Sequence, residues 1–293
     1  LMVWALRPFS WVRPTWASLV PLLRYSLPGI PISVSSFLLS FADRYVIGAT
    51  LGATAVGLYS AAYALASLPT FLTKPIIVQL LPAAAAAWNA GDHAGAVKFL
   101  RDNTRLYSVL GLPVVVGIAI VGPDVLRLMG GGAHGEWSVG LLVSVGAGAW
   151  VYGLLLLALH GYHLQERMAS TAWNFLSAAA LNLTLNFILL PLMGVVGAGI
   201  ATTVAYAAVF VPVALKLKKT MGPILDWVSL AKATVAAASM GAVIWYIPHT
   251  RYAGLVLTVS VGVIVYTAFS FLLGLVSKSD AQRLSKRLVK GVS

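Results

Sequence analysis

Residues 43–88 read DRYVIGATLGATAVGLYSAAYALASLPTFLTKPIIVQLLPAAAAAW, and they decide what kind of molecule this is. The stretch opens on the charge pair Asp43–Arg44, which the pattern puts at the end of one apolar span. Tyr45 to Thr73 then carry no Asp, Glu, Lys or Arg. Lys74 follows, between Pro69 and Pro75, about midway along the next apolar run. An ammonium at mid-bilayer is unfavourable by roughly 2.5 to 3.5 kcal/mol even on the lenient insertion scale, unless it faces a polar cavity or a partner. Lys74 therefore either snorkels to a headgroup or pairs with Asp43 or Gln79 and orients its helix, or it serves a polar pathway.

Outward from this stretch the same chemistry repeats. The 293 residues are 59% hydrophobic and 10% charged, with a mean hydropathy of +0.89. These values lie far outside the soluble globular range and make the chain a polytopic, all-α membrane bundle. Cysteine is absent, which removes disulfide frameworks, thiol nucleophiles and thiolate metal sites. The opening LMVWAL reads as the last turns of an apolar helix cut short, so residues 1–24 are expected to be a helix end followed by a cytoplasmic linker.

A spanning helix needs about 20 mostly apolar residues, because backbone groups left unpaired in hydrocarbon are costly. The charge-free intervals supply eight spans. They are 25–42, the 45–73 run continuing past Lys74, 106–123, 137–165, two inside 168–215 broken at PLMGVVG (191–197), 233–250 and 252–277. Residues 88–105 read as an amphipathic cytoplasmic connector and 122–137 as a glycine-rich loop on the far side. Residues 216–232 read as an interfacial connector helix that separates the first six spans (25–215) from a final pair (233–277). Residues 278–293 form a basic cytoplasmic tail.

Orientation follows from Lys and Arg, which are retained on the cytoplasmic side of short loops. With the segment before Tyr25 cytoplasmic, eight alternating spans put all but Arg44, Lys74, Arg127 and Arg251 of the 20 Lys and Arg on that side. The net charge of +12 is then explained by loops and a tail that meet anionic headgroups, with no nucleic-acid partner needed.

Asn174, Asn182 and Asn186 fall within about 120° of one another at about 100° per residue, a polar stripe on an apolar helix. Such amides turn inward, either to bond a neighbouring helix or to wall a polar cavity. A small-residue run, Gly194, Gly197, Ala198, Gly199 and Ala201, follows and permits close helix approach.

The succession DRYVIGATLG, VGLYSAAYALA (56–66), Pro82 and NFILLPLMGVVGAGIATTVAY (186–206) resembles the polysaccharide and lipid-linked oligosaccharide flippases of the multidrug/oligosaccharidyl-lipid/polysaccharide exporter superfamily, over nearly the whole chain and as their C-terminal half. The resemblance implies two six-helix lobes around a cavity that opens alternately to each face, with two extra C-terminal helices in some members. The N-terminal lobe of the same protein would then be a partner not contained in these residues. It implies a multi-pass protein of the cytoplasmic membrane that moves a lipid-linked phosphate or pyrophosphate oligosaccharide outward, with no cofactor and no catalysis. On this pattern Lys74 and Arg44 map to charged positions facing the cavity, and Asp43 sets the geometry of Arg44. Gln79, Asn174, Asn182 and Asn186 would contact sugar hydroxyls. Arg24, at the cytoplasmic entry, either meets the headgroup or obeys the positive-inside rule.

Three other classes compete. A cation-coupled small-molecule extruder needs an ionisable carboxylate in the membrane, and of the eight acids only Asp43 is near a span interior. A membrane enzyme of lipid-linked sugars needs paired carboxylates or a metal cluster, for which His160, His163 and Glu166 are the local candidate. A structural scaffold would leave Lys74 and the asparagine stripe unexplained.

Overall fold

In the computed structural model, residues 15–27, 29–129, 138–165, 168–248 and 252–275 are described. They form helices α1 (Trp16–Ser26), α2 (Gly29–Ala66), α3 (Leu68–Phe71), α4 (Thr73–Asn89), α5 (His93–Met129), α6 (Val139–Leu164), α7 (Met168–Met193), α8 (Val195–Thr220), α9 (Trp227–Ile244) and α10 (Tyr252–Leu272). Eight helical stretches are long and apolar enough to cross a membrane, which makes this a multi-pass membrane protein.

The decisive local feature is inside α2. Gly52 has φ +84° and ψ 175°, a combination open in practice only to glycine. There the helix folds back on itself. The Tyr59 hydroxyl reaches the Asp43 carboxylate, and a Cβ on Gly48 would stand 3.3 Å from Val56 Cγ2. In a straight helix residues 43 and 59 would be about 24 Å apart at about 1.5 Å per residue. So 29–51 is one arm and 53–66 starts the return, which runs on through α3 and α4 to Asn89. The arms give about 35 Å and 55 Å of helix, each enough to span.

This corrects the first span. It does not stop at Ala42: the helix continues to Gly52, and Asp43 and Arg44 lie inside it. The pair survives there because each member has a partner at hand. The amphipathic 93–105 segment likewise continues into α5 instead of forming a separate connector. The connector at 216–232 is also divided differently. Lys216 to Thr220 end α8, Gly222 turns at φ +114°, and α9 starts at Trp227 with Asp226 as its N-cap. Gly222–Pro223 stops a helix there, since proline has no N–H and glycine takes the left-handed conformation freely.

Helix α6 is the centre of the bundle, with 67% of its most apolar window buried. It packs on α5, α8 and the hairpin. Gly153 lets Tyr107 of α5 lie flat on it; a Cβ there would overlap the Tyr107 ring. One apolar cluster fills the half holding Leu80, Leu100, Leu155, Phe175 and Leu217. A second fills the half holding Ile47, Tyr59, Leu142, Leu190 and Ala198. Helices α9 and α10 pack on each other and on α5. Tyr266 donates to Val109 O at 2.5 Å and Arg105 Nη2 to Leu275 O at 2.9 Å.

Two stability outcomes follow from these turns. Gly52→Ala should cost about 1–3 kcal/mol, the usual range for forcing a side chain into that backbone region, whereas Gly57→Ala, with open space around it, should be neutral in detergent thermal unfolding. Asp226 accepts from Ser229 Oγ at 2.7 Å and Ser229 N at 3.2 Å, and the Ser229 hydroxyl chiefly holds its carboxyl below the usual carboxylate range. Its stabilisation is therefore present above the unfolded-state value and lost as pH falls through the lower folded value. Asp226→Ala should cost about 1 kcal/mol at neutral pH, as for other N-caps, and the difference from wild type should vanish in acid.

Candidate functional site

The hairpin at Gly52 brings together residues that are sixteen apart in sequence. The Asp43 carboxylate is fully buried. Its Oδ2 accepts from the Tyr59 hydroxyl; its Oδ1 accepts the Arg44 backbone N–H at 2.8 Å and faces Arg44 Nη1 at 3.4 Å. Arg44 Nη1 donates to Ser40 O at 2.6 Å. The guanidinium lies 4.5 Å from the Tyr63 ring centroid, 5.2 Å from Phe41 and 5.7 Å from Tyr59. Ring faces attract a cation electrostatically, more strongly where water is excluded.

Behind this set stands a second layer of phenols. Tyr206 of α8 faces Tyr63 and Ser40, and its ring lies 4.6 Å from that of Tyr152 on α6. Arg44 nevertheless keeps 21% of its side chain exposed. A charge is thus neutralised at the back and open at the front, a geometry suited to receiving an anion.

Lys74 follows a break in the returning arm. Ala66 ends α2, α3 makes a single turn around buried Pro69, and α4 restarts at Thr73. Thr70 Oγ1 donates to Ser67 O at 2.7 Å and Thr73 Oγ1 to Thr70 O at 2.6 Å, so hydroxyls take up carbonyls at the break. The Lys74 side chain is exposed, with Nζ 5.4 Å from the Phe71 ring centroid. It does not pair with Asp43, whose cationic partner is Arg44.

The other sequence candidates separate. Gln79 is exposed on α4. Asn182 and Asn186 are buried together: Asn182 Nδ2 donates to Thr202 Oγ1 at 3.2 Å, and Asn186 Nδ2 donates to Asn182 O at 2.9 Å and Oδ1 at 3.2 Å. Asn174 is half-buried two turns away. Arg24 lies within α1. His160 Nδ1 is 2.8 Å from Leu156 O and its ring is 5.4 Å from His163; Glu166 lies outside the described residues. No group of three or more His, Cys, Asp or Glu stands ready to hold a metal among the described residues.

Tyr59, Tyr63, Tyr152 and Tyr206 are the site residues that sequence reasoning did not single out. Tyr59 and Tyr63 had a readable signal, an i, i+4 pair of phenols on the helix after DRYVIGATLG. Tyr152 and Tyr206 join them only through tertiary packing.

Residues 1–138 match the family described as "Polysaccharide biosynthesis protein". Over 287 residues, 95% of this chain, the sequence is 25% identical to "Probable flippase AglR" of Haloferax volcanii, covering 59% of that protein. The fold is similar to that of "Lipid II flippase MurJ, inward closed conformation", with TM-score 0.72 and 17% identity over 89% of this chain and 56% of that one. It is also similar to an outward-facing multidrug resistance MATE family transporter of the MOP superfamily, with TM-score 0.54 and 17% identity over 85% of this chain and 64% of that one. The chain therefore spans less than two thirds of the length of each of these three proteins.

Tyr59→Phe removes the one phenolic donor to a buried carboxylate, so it should destabilise by about 1–3 kcal/mol, the usual cost of an unsatisfied buried acceptor. Tyr45→Phe, at a residue 72% exposed, should leave thermal unfolding in detergent unchanged.

Proposed function

We propose that this chain, a member of the multidrug/oligosaccharidyl-lipid/polysaccharide exporter superfamily, works as the C-terminal lobe (25–215) and two further helices (233–277) of a flippase for lipid-linked oligosaccharide. The direction is from the inner to the outer leaflet of the cytoplasmic membrane. Residues 216–232 link the two parts, and 278–293, which lie outside the described residues, are read from their sequence as a basic tail on the cytoplasmic face. A preceding lobe of the same protein supplies the other wall of the cavity.

The observation that carries this reading is the Arg44 guanidinium, set inside a span, backed by Asp43 and open on one side. A cation in that position is retained for a ligand, and in a low-dielectric wall it attracts phosphate strongly. Arg44 is eight residues before the Gly52 turn, whereas Lys74 is twenty-two beyond it on the antiparallel arm. The two cations therefore stand at depths about 20 Å apart at about 1.5 Å per residue. Lys74, nearer the cytoplasmic end, meets the phosphate of an entering lipid, and Arg44 holds it nearer the outer face. Exchange between inward and outward states then needs only that the two states favour these cations differently. Gln79, exposed on the same arm as Lys74, touches sugar hydroxyls in this reading; Asn182 bonds α7 to Thr202 of α8, and Asn186 bonds back to Asn182.

A second reading, a cation-coupled extruder, gains one observation: Asp43 is well inside a span, where a coupling carboxylate belongs.

The test is the full-length protein in proteoliposomes, scored for movement of a lipid-diphosphate oligosaccharide between leaflets, with efflux of a cationic dye in parallel. Lipid movement should fall at least tenfold in Lys74→Ala and in Arg44→Ala, the equivalent of about 1.4 kcal/mol each in transition-state stabilisation. Dye efflux under an ion gradient without lipid movement would overturn the reading in favour of the extruder. Lipid movement unchanged in both variants would keep the flippase and remove both residues from the pathway.

A further inference from the structure

Arg44 has one anionic partner among the described residues, the Asp43 carboxylate, and holds it loosely. Its Nη1 stands 3.4 Å from Asp43 Oδ1, longer than the 2.7–2.9 Å usual for a charge-assisted hydrogen bond. The same nitrogen is bound more closely, at 2.6 Å, to the Ser40 carbonyl. The guanidinium is thus only loosely engaged by the carboxylate. Its exposed edge and its aromatic contacts hold it where a second anion can approach without first breaking a tight ion pair.

Asp43 has no such freedom. The carboxylate is fully buried, and the groups that face it can be named element by element. From its own arm these are Arg44 and the Ser40 backbone, and from the returning arm Tyr59 and, through Arg44, Tyr63. From α8 it is Tyr206, through Ser40 and Tyr63, and from α6 it is Tyr152, through Tyr206. Helices α5 and α7 also pack on the hairpin; Asp124 and Arg127 of α5 are bonded to each other at 3.1 Å, and the buried polar groups α7 carries there are the amides Asn182 and Asn186, which do not titrate. Among the described residues Arg44 is the one cation within ion-pair distance of Asp43.

Resting on the reading of Arg44 as a phosphate holder, we infer that phosphate binding at Arg44 is coupled to protonation of Asp43, so that the hairpin takes up one proton from solvent for each lipid-linked phosphate it binds. When the ligand phosphate engages the guanidinium, the carboxylate loses its counter-charge in a medium that does not tolerate a lone anion. One proton from bulk water then adds to the Oδ1 oxygen, and Tyr59 continues to donate to Oδ2. Release on the other face reverses both events. The added proton offsets one of the ligand's negative charges, and binding at Arg44 becomes dependent on pH. Asp43 is in this account a coupling residue and does not itself touch the ligand.

The linkage has a fixed sign and slope. One proton taken up per ligand bound means that affinity falls tenfold for each unit rise in pH wherever Asp43 is charged in the free site and neutral in the bound site. The experiment is titration calorimetry of the full-length protein in detergent with farnesyl diphospho-N-acetylglucosamine, whose diester diphosphate keeps constant charge across the neutral range. It is repeated in buffers of different ionisation enthalpy, which counts protons directly. Wild type should take up close to one proton, and Asp43→Asn should bind with no proton uptake and no pH slope. The wild-type count stands even if Asp43→Asn does not fold. Binding with no proton uptake by wild type overturns the coupling and leaves the phosphate reading intact. Uptake that persists in folded Asp43→Asn overturns the assignment to Asp43. Absence of binding by wild type overturns the phosphate reading and the coupling with it.

Discussion

A carboxylate cannot stand alone in hydrocarbon, and the architecture around Asp43 is the solution to that constraint. The charge needs a cation and at least one donor within a few ångströms, in a region where water supplies neither. Arg44 comes from the same turn of helix, which costs the fold nothing in topology. The phenol of Tyr59 comes from the returning arm, so satisfying the acid requires the chain to reverse within the eight residues that separate Asp43 from Gly52. The glycine backbone at φ +84° and the Asp43–Tyr59 hydrogen bond are two halves of one device: the first permits the hairpin, and the second fixes its register.

Fixing that register has consequences through the bundle. The returning arm presents Tyr63 to Arg44 on one side and to Tyr206 on the other, which ties the hairpin to α8 and, through Tyr152, to α6. Because α6 is the most buried of the spanning helices, the Asp43 cluster is anchored to the innermost part of the bundle. The opposite holds farther along the same arm, where the helix restarts around Pro69 and leaves Lys74 exposed. Helices α9 and α10 dock on α5 alone, away from both cations, and so leave the face of the hairpin unobstructed.

Much of this was legible in the sequence because the bilayer imposes simple arithmetic on composition. Charge-free intervals of sufficient length and the sidedness of Lys and Arg lead to eight crossings, and eight membrane-length helices are present among the described residues. The resemblance carried by DRYVIGATLG and NFILLPLMGVVGAGIATTVAY agrees with the relatives and the fold. What misled was treating Asp43–Arg44 as a span terminus. A charge pair usually marks the edge of hydrocarbon, and the composition of 43–88 alone does not show that Tyr59 will cancel part of its cost. The tyrosines were hidden for the same reason: a phenol in an apolar run reads as core, and its role as donor depends on which acid folds back against it. The asparagine stripe lies on α7, where Asn182 bonds Thr202 of α8 and Asn186 bonds back to Asn182.

On the proposed reading, the division of labour between buried and exposed groups is what would let a phosphate site in this fold turn over. A site that held phosphate with every group fully engaged would trap it, because transport demands that the same anion be released on the far side. Here Asp43 and Tyr59 are buried and bonded to each other, while Arg44 and Lys74, the cations proposed to meet the ligand, are partly or wholly exposed. Preorganisation resides in the layer behind, and exchange resides in the layer in front. Arg44 belongs to both layers, bonded backward to the Ser40 carbonyl and open forward, so the strength with which it would hold an anion depends on the charge state of the carboxylate behind it. A modest change at Asp43 is then felt at the ligand without any rearrangement of the bundle.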